Sequence, residues 1–525
     1  MNARQHYNVT LAILTFAGIA FALQQTMVVP ALPALREELH TTTGWATWLL
    51  TGFLLAASVA TPLLGKLGDQ YGKERLLVIA LGIFFVGCLG AAVAPNIWVL
   101  IGFRMVQGTG GAVFPLSFAI IKDEFPPEKV GVGVGVVSSV LAVGGGLGLV
   151  LSGLIIDHLS WRWLFIIGAV GVGLAALLVD RFVPESPIKT ESRLDVPGAA
   201  LLSVGLVSLL LGLTEGESWG WGSARIGALA LTAVLALLAW GLVELRVPEP
   251  MVDMRMLARR PVLLTNLTAL ITGFALFGSF VLIPNFVETP RGLSESVARM
   301  VGYGFGATST QAGLYLLPGA LAGFLSGPAA GVLGRRYGSK WPLALGMLLT
   351  GTGIALLAIM HDRPWHIVLG MLVLGSGAPF AFAAMAKIIV DSVRPVETGV
   401  ATGVNTVMRT IGGVIGGQLG AAILTADTIG GTSVPAESAF ATAFWMSAAA
   451  AFVGAILAVF ITSSRGRRGA SSLSHVARIL PRGCGVVAEP GSRLSLRWPP
   501  LCRLRCRVKP RPSAGTGSLP PDRQA

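Results

Sequence analysis

The chain is 525 residues long, 53% hydrophobic and only 12% charged, where soluble globular domains carry roughly a quarter charged residues. A surface this apolar needs lipid rather than water around it, which argues against a soluble enzyme or a soluble binding module. The net charge of +13 does not point to a nucleic-acid partner: residues 463–525 hold thirteen Lys/Arg against Glu489 and Asp522, so +11 sits in a tail and +2 in the remainder, and a basic tail beside a membrane meets anionic lipid.

Low-charge runs of about 20 residues, the length that crosses the hydrocarbon layer, start near Val9, Trp45, Leu76, Ile97, Val130, Trp163, Val196, Ile226, Val262, Thr310, Pro342, Trp365, Gly399 and Ser438. Fourteen spans are therefore expected. The first, from Val9 to Pro30, is too long for the apolar core of a signal peptide and reads as a transmembrane helix. Its polar residues Gln24, Gln25 and Thr26 either offer hydrogen bonds to a cavity or bond a neighbouring helix.

After the second span comes Gly65-Lys-Leu-Gly-Asp69-Gln-Tyr-Gly72-Lys73-Glu-Arg75. Its glycines permit a tight turn and close helix approach. Asp69 is an acceptor suited to a helix N-terminus or an arginine. The segment reads as a latch made in one conformation and broken in another, or as a plain topological anchor. The fourth span holds Leu100-Ile-Gly-Phe-Arg104-Met-Val-Gln107-Gly-Thr-Gly110-Gly111. A charge at membrane depth costs roughly 2.5–3.5 kcal/mol, so Arg104 is expected to face a polar interior, with Gln107 one turn on sharing that face. The alternative is an arginine that bonds backbone carbonyls and fixes helix packing. Arg409, in the thirteenth span, is open to the same two readings.

The fifth span contains Gly144-Gly-Gly146-Leu-Gly148-Leu149-Val-Leu-Ser152-Gly153, small residues that let helices approach closely in lipid. Trp161-Arg162-Trp163-Leu-Phe165 opens the sixth. Later spans carry Gln311-Ala-Gly313-Leu-Tyr-Leu-Leu-Pro318-Gly and Gly399-Val-Ala-Thr-Gly403-Val-Asn405. A repeat is visible: Gly65 to Gly72 aligns without gaps on Gly331-Val-Leu-Gly334-Arg335-Arg-Tyr337-Gly338, with five of eight positions identical. Both segments follow the second span of a six-span half, a known transporter arrangement. The expected halves are 1–183 and 262–462, with two extra spans in the insertion 184–261 and a basic, disordered tail at 463–525. Before the tail, eighteen Lys/Arg fall on one side of the spans and six on the other; the positive-inside rule then puts both termini in the cytoplasm.

Together these motifs resemble the major facilitator superfamily, and within it the fourteen-helix drug:proton antiporters of the multidrug efflux type. The resemblance covers about 1–462. It implies an all-α polytopic fold in the inner (plasma) membrane, a central cavity between two halves, and efflux of small amphipathic drugs or secondary metabolites, driven by protons. Gly65, Asp69, Gly72, Lys73 and Arg75 match the family's gating loop. Gln24, Gln25, Thr26, Arg104, Gln107 and Arg409 are the expected cavity or coupling residues. Gly144, Gly148 and Gly153 match its helix-5 motif, although Leu149 stands at that motif's proline and Ser152 at one of its glycines. The first span departs further, because Gln24 stands where the family carries an aspartate and cannot titrate. Asp180, Glu244 and Glu288 are the remaining proton-carrier candidates. No catalytic set, phosphate loop, metal site or cofactor motif is evident, so the expected partners are a small molecule, protons and membrane lipid. Two alternatives stay open: an uncoupled facilitator or importer, and a transporter-like sensor that moves nothing.

Overall fold

The computed structural model describes residues 7–186, 195–289, 302–429 and 434–461; the expectation of a disordered tail lies outside them. The described chain is helical. Its β pairing is a single bridge between Thr428 and Pro435. The amino-terminal helices are α1 (Tyr7–Thr26), α2 (Val28–Glu38), α3 (Thr43–Tyr71), α4 (Lys73–Ala92), α5 (Ile97–Gln107), α6 (Val113–Glu124), α7 (Pro127–His158) and α8 (Arg162–Phe182). Next come α9 (Val196–Trp219), α10 (Ala224–Glu244) and the short α11 (Met254–Leu257). The carboxy-terminal helices are α12 (Arg260–Glu288), α13 (Ser309–Tyr337), α14 (Lys340–Ile359), α15 (Pro364–Ser392), α16 (Thr398–Ala426) and α17 (Glu437–Val459).

Thirteen helical segments among the described residues are long and apolar enough to cross a membrane. The remaining expected span, from Val262, falls on α12, a helix of 29 residues whose apolar stretch runs Arg260–Leu276. Two of the spans are interrupted. The first breaks between Thr26 and Val28, where Pro30 cannot donate to the Thr26 carbonyl and its ring crowds the preceding turn. The fourth passes from α5 to α6 through a 3₁₀ segment, Gly108–Ala112. There Gly108 lies tight against Ala56 and Gly111 against Thr61 of α3. By contrast α7, where the sequence has Leu149 in place of a proline, is one unbroken helix of 32 residues.

The apolar cores show how these helices are grouped. One core draws on the last six spans, including Leu276, Phe286, Met347 and Phe440. Two others draw chiefly on α1 to α8. A fourth joins α9 and the 251–256 linker to Leu55 of α3 and to Val400 and Val407 of α16. The inserted helix α9 thus leans on both sets of six. Its partner α10 packs mainly on α9 and exposes Leu231, Val234, Leu235, Leu238 and Leu242, a stripe suited to acyl chains.

The repeat seen in the sequence recurs in the geometry. α3 ends at Gly72 with φ 125°, and α13 ends at Gly338 with φ 93°. L side chains rarely adopt that region, so glycine is required at both. Each glycine donates its N–H to the carbonyl four residues back, Gly68 and Gly334 respectively.

Candidate functional site: a polar latch and a central crevice

Gly72 and Gly338 turn the chain at the same end of the bundle, called here the motif end. There backbones of the two sets of six spans touch directly at two pairs of glycines. A Cβ on Gly65 would sit 2.6 Å from the Gly399 carbonyl oxygen, and one on Gly131 would sit 3.3 Å from that of Gly331. These are the same contact made twice: Gly331 is the repeat mate of Gly65, and Gly131 and Gly399 both lie near the start of their helices, α7 and α16. Small residues let the backbones touch, and the motif end is closed by direct helix contact.

Charges reinforce that closure. The Asp69 carboxylate accepts the backbone N–H groups of Gly399 and Val400, each at 3.2 Å. These are free donors in the first turn of α16, where the helix dipole favours an anion. Lys73 lies 3.7 Å from Asp69 and donates to Asp123 of α6 at 2.5 Å, all three side chains being buried. Lys73 also reaches the Pro395 carbonyl at 3.3 Å. Beside it Lys122 donates to the Val393 carbonyl and the Thr398 hydroxyl, both at 3.0 Å. Gly65, Asp69 and Lys73 therefore each reach the other set of helices, while Gly72 lies against Glu185. Arg75 does not join them: it is exposed and faces Glu185 at 3.9 Å. Sequence reasoning missed Lys122 and Asp123. Their only signal was a run of charges, Lys122-Asp-Glu124, where the fourth span ends.

Arg104 is fully buried among α3, α4 and α5. Its Nε donates to the Leu49 carbonyl at 3.1 Å, its Nη1 donates to Gln107 Oε1 at 2.6 Å, and its guanidinium lies 4.6 Å from the Phe53 ring centre. Gln107 in turn donates to the Gly87 carbonyl at 3.1 Å. This is a brace within the amino-terminal helices. Gln24 is also fully buried; it lies against Gly168 of α8, and its carboxamide has no hydrogen-bond partner among the described residues. Gln25, its neighbour, is partly exposed. Thr26 donates to carbonyls of its own helix and lies 3.1 Å from the Gly144 carbonyl of α7. Gly144 and Gly148 are the α7 surfaces that receive Ala22 and Thr26, while Gly153 receives Thr310 of α13. Ser152, at a family glycine position, donates to the Met27 carbonyl at 2.5 Å, next to the break in the first span.

Farther from the motif end, a narrow crevice separates the two sets. Phe114 and Phe118 of α6 and Ser138 of α7 line one wall; Phe382 of α15 and Asn405, Thr406 and Arg409 of α16 line the other. Of the expected cavity residues, Arg409 lines this crevice, whereas Gln24, Gln25, Thr26, Arg104 and Gln107 are not among its lining residues. Asn405 donates to Asn266 of α12 at 3.0 Å, and Arg409 stacks on Phe382 at 4.5 Å.

Comparison with known proteins agrees with this arrangement. The family model described as Major Facilitator Superfamily matches residues 14–304 and 296–483. A tetracenomycin C resistance and export protein of Streptomyces glaucescens is 28% identical over 64% of this chain and 61% of its own length. A multidrug resistance protein B homolog of Mycobacterium tuberculosis is 32% identical over 63% of this chain and 59% of its own. The chain thus spans about three fifths of the length of these relatives. Among solved structures, the human organic anion transporter MFSD10 superposes with a TM-score of 0.59 over 86% of this chain and 99% of its own, at 16% identity, a likeness of fold alone.

Proposed function

The chain belongs to the major facilitator superfamily, and we propose that it exports small amphipathic molecules, drugs or secondary metabolites, by alternating access between its two six-helix halves. The observation that carries this reading is the motif end. Asp69 on one half holds the first turn of α16 on the other through two N–H bonds, beside glycine pairs whose backbones touch directly. Such a joint suits a rocking motion, with Ala386 and Val390 of α15 withdrawn from the amino-terminal core as it opens. The aromatic crevice behind it has room for about one water as it stands, and its apolar and polar lining becomes available to a ligand as the halves separate. The names of the relatives, resistance and export proteins, favour the outward direction.

Proton exchange is the drive we assign. Of the carriers named from the sequence, Asp180 and Glu288 are exposed at helix ends, and Glu244 is buried, accepting from Trp240 at 2.8 Å and from the Val252 N–H at 3.2 Å. The test is substrate flux with simultaneous internal pH in proteoliposomes, over a panel of amphipathic compounds. Flux coupled to proton movement is expected. Flux without proton movement would establish the uncoupled facilitator instead, and no flux of any compound would leave the sensor.

Orientation follows from the charge bias: the motif end and both termini face the cytoplasm of a plasma-membrane protein. Reporter fusions after Glu217 and after Arg260 are expected to report opposite sides of the membrane. The same side for both would break the fourteen-span topology at the inserted pair.

A further inference from the structure

The two arginines at membrane depth are held in opposite ways. Arg104 is engaged by Leu49, Gln107 and Phe53. Arg409 has no hydrogen-bond acceptor and no carboxylate among the described residues, only the face of Phe382. It lies well inside α16, about 17 Å from the start of that helix at the usual rise. The carboxylates on the helices packed around α16 sit at or near their ends: Asp69 on α3, Asp123 and Glu124 on α6, Glu215 and Glu217 on α9, Glu288 on α12, Asp391 on α15 and Glu437 on α17. None of them forms an ion pair with the guanidinium.

A second group is left open on the facing wall. Ser138 of α7 is 1% exposed, and its hydroxyl has no hydrogen-bond partner among the described residues. Buried hydroxyls, and cations at membrane depth, are ordinarily satisfied. Here one of each lines the same crevice. What both lack is an oxygen acceptor bearing negative charge, and a carboxylate supplies two such oxygens in a plane that matches the guanidinium fork.

We propose that Arg409 and Ser138 form a carboxylate-binding subsite in the central crevice, so that the substrate is an anionic amphipath whose acidic group meets Arg409 while its apolar body lies against Phe114, Phe118 and Phe382. The proposal rests on the transport reading above and narrows its substrate class: organic acids are taken and organic cations are disfavoured, since a cation there would face Arg409 with no acid to offset it.

Three probes of one ring system test this: naphthylacetate, its neutral amide naphthylacetamide, and naphthylethylammonium. Binding is measured by equilibrium dialysis on the full-length protein in nanodiscs of zwitterionic lipid, and flux is measured separately in proteoliposomes. The carboxylate is expected to bind most tightly. Arg409→Gln is expected to weaken it by about ten- to a hundredfold, the range for a lost charge-assisted bond, and Arg409→Lys to restore part of that. Thr406→Glu leaves the arginine in place but sets an internal carboxylate one turn before it; carboxylate binding is expected to fall there too, which keeps the proposal decidable if Arg409→Gln does not fold. Equal or better binding of the amide or the ammonium by wild type, no carboxylate binding at all, or carboxylate binding unchanged in Arg409→Gln or Thr406→Glu would each overturn it. Arg409-dependent carboxylate binding with no flux of any probe would support the subsite and sink the transport reading instead.

Discussion

Asp69→Asn is expected to cut flux about tenfold or more at equal membrane abundance, with little loss of folded protein. The carboxylate holds two N–H donors of α16, at Gly399 and Val400, one on each oxygen, and it stands 3.7 Å from the Lys73 ammonium. Asparagine keeps one acceptor oxygen and turns an NH₂ toward the other donor. It also loses the charge that the helix N-terminus favours. Hydrogen bonds to charged groups contribute about 1.5–3 kcal/mol, and the dipole term adds up to about 1 kcal/mol on an exposed surface. These bonds join two halves, so their loss falls on the equilibrium between conformations more than on either core. A change of about 1.4–3 kcal/mol moves that equilibrium ten- to a hundredfold. Lys73 is expected to hold its place through Asp123 at 2.5 Å, which is why folding survives. The measurements are proteoliposome flux and the reactivity of a cysteine placed at Thr402, a buried residue on α16, in a background without native cysteines. Increased labelling from the motif end with reduced flux is the expected pair of results. Wild-type values of both would make the segment a plain anchor.

How much of this was legible beforehand depended on what sets each feature. Span number and position follow from length and hydropathy, and the helices fall where the apolar runs do. The glycine joint was half visible: the repeat of Gly65 in Gly331 could be read, but the partners Gly399 and Gly131 could not, because contact between halves is a matter of tertiary approach. Asp123 and Lys122 were hidden by their place at the end of a span, where charges ordinarily read as loop. The rotation of each helix about its axis was the least legible. In a soluble helix the apolar stripe reveals the inward face; in α1 and α7 the lipid side and the core side are equally apolar, so the sequence offers no stripe to read. Gln24 was therefore left between a cavity and a neighbouring helix, and the folded helix turns it against Gly168 of α8. Ser138, in a run of glycine and valine, gave no sign in the sequence that it lines the crevice.

The same uncertainty of rotation bears on Arg104, whose replacement by alanine is expected to abolish most transport by weakening the fold. Three losses accompany the change. Gln107 Oε1, now 2.6 Å from the guanidinium, is left buried without a donor, at a cost of about 1–3 kcal/mol. The emptied volume costs roughly 2 kcal/mol or more, since the site is fully buried. The contact with Phe53 at 4.6 Å contributes about 2 kcal/mol when desolvated. Against them stands one gain, because a charge at membrane depth no longer needs to be accommodated, worth roughly 2.5–3.5 kcal/mol. The losses exceed the gain by about 3 kcal/mol. The melting temperature in detergent is expected to fall by about 5 °C, the scale set by the unfolding entropy of a large chain. Arg104→Lys retains the charge, but a single ammonium on a flexible stem cannot serve Leu49 and Gln107 in one plane and stack on Phe53 as well. It is expected to recover part of the stability and, in proportion, part of the flux. This proportionality separates a brace from a coupling residue. A brace moves flux and melting temperature together and leaves the pH profile of the surviving activity where it was. Flux lost at an unchanged melting temperature, or a shifted pH profile in Arg104→Lys, would show that Arg104 acts in the transport cycle itself, by way of Gln107 and the backbone of α4 at Gly87.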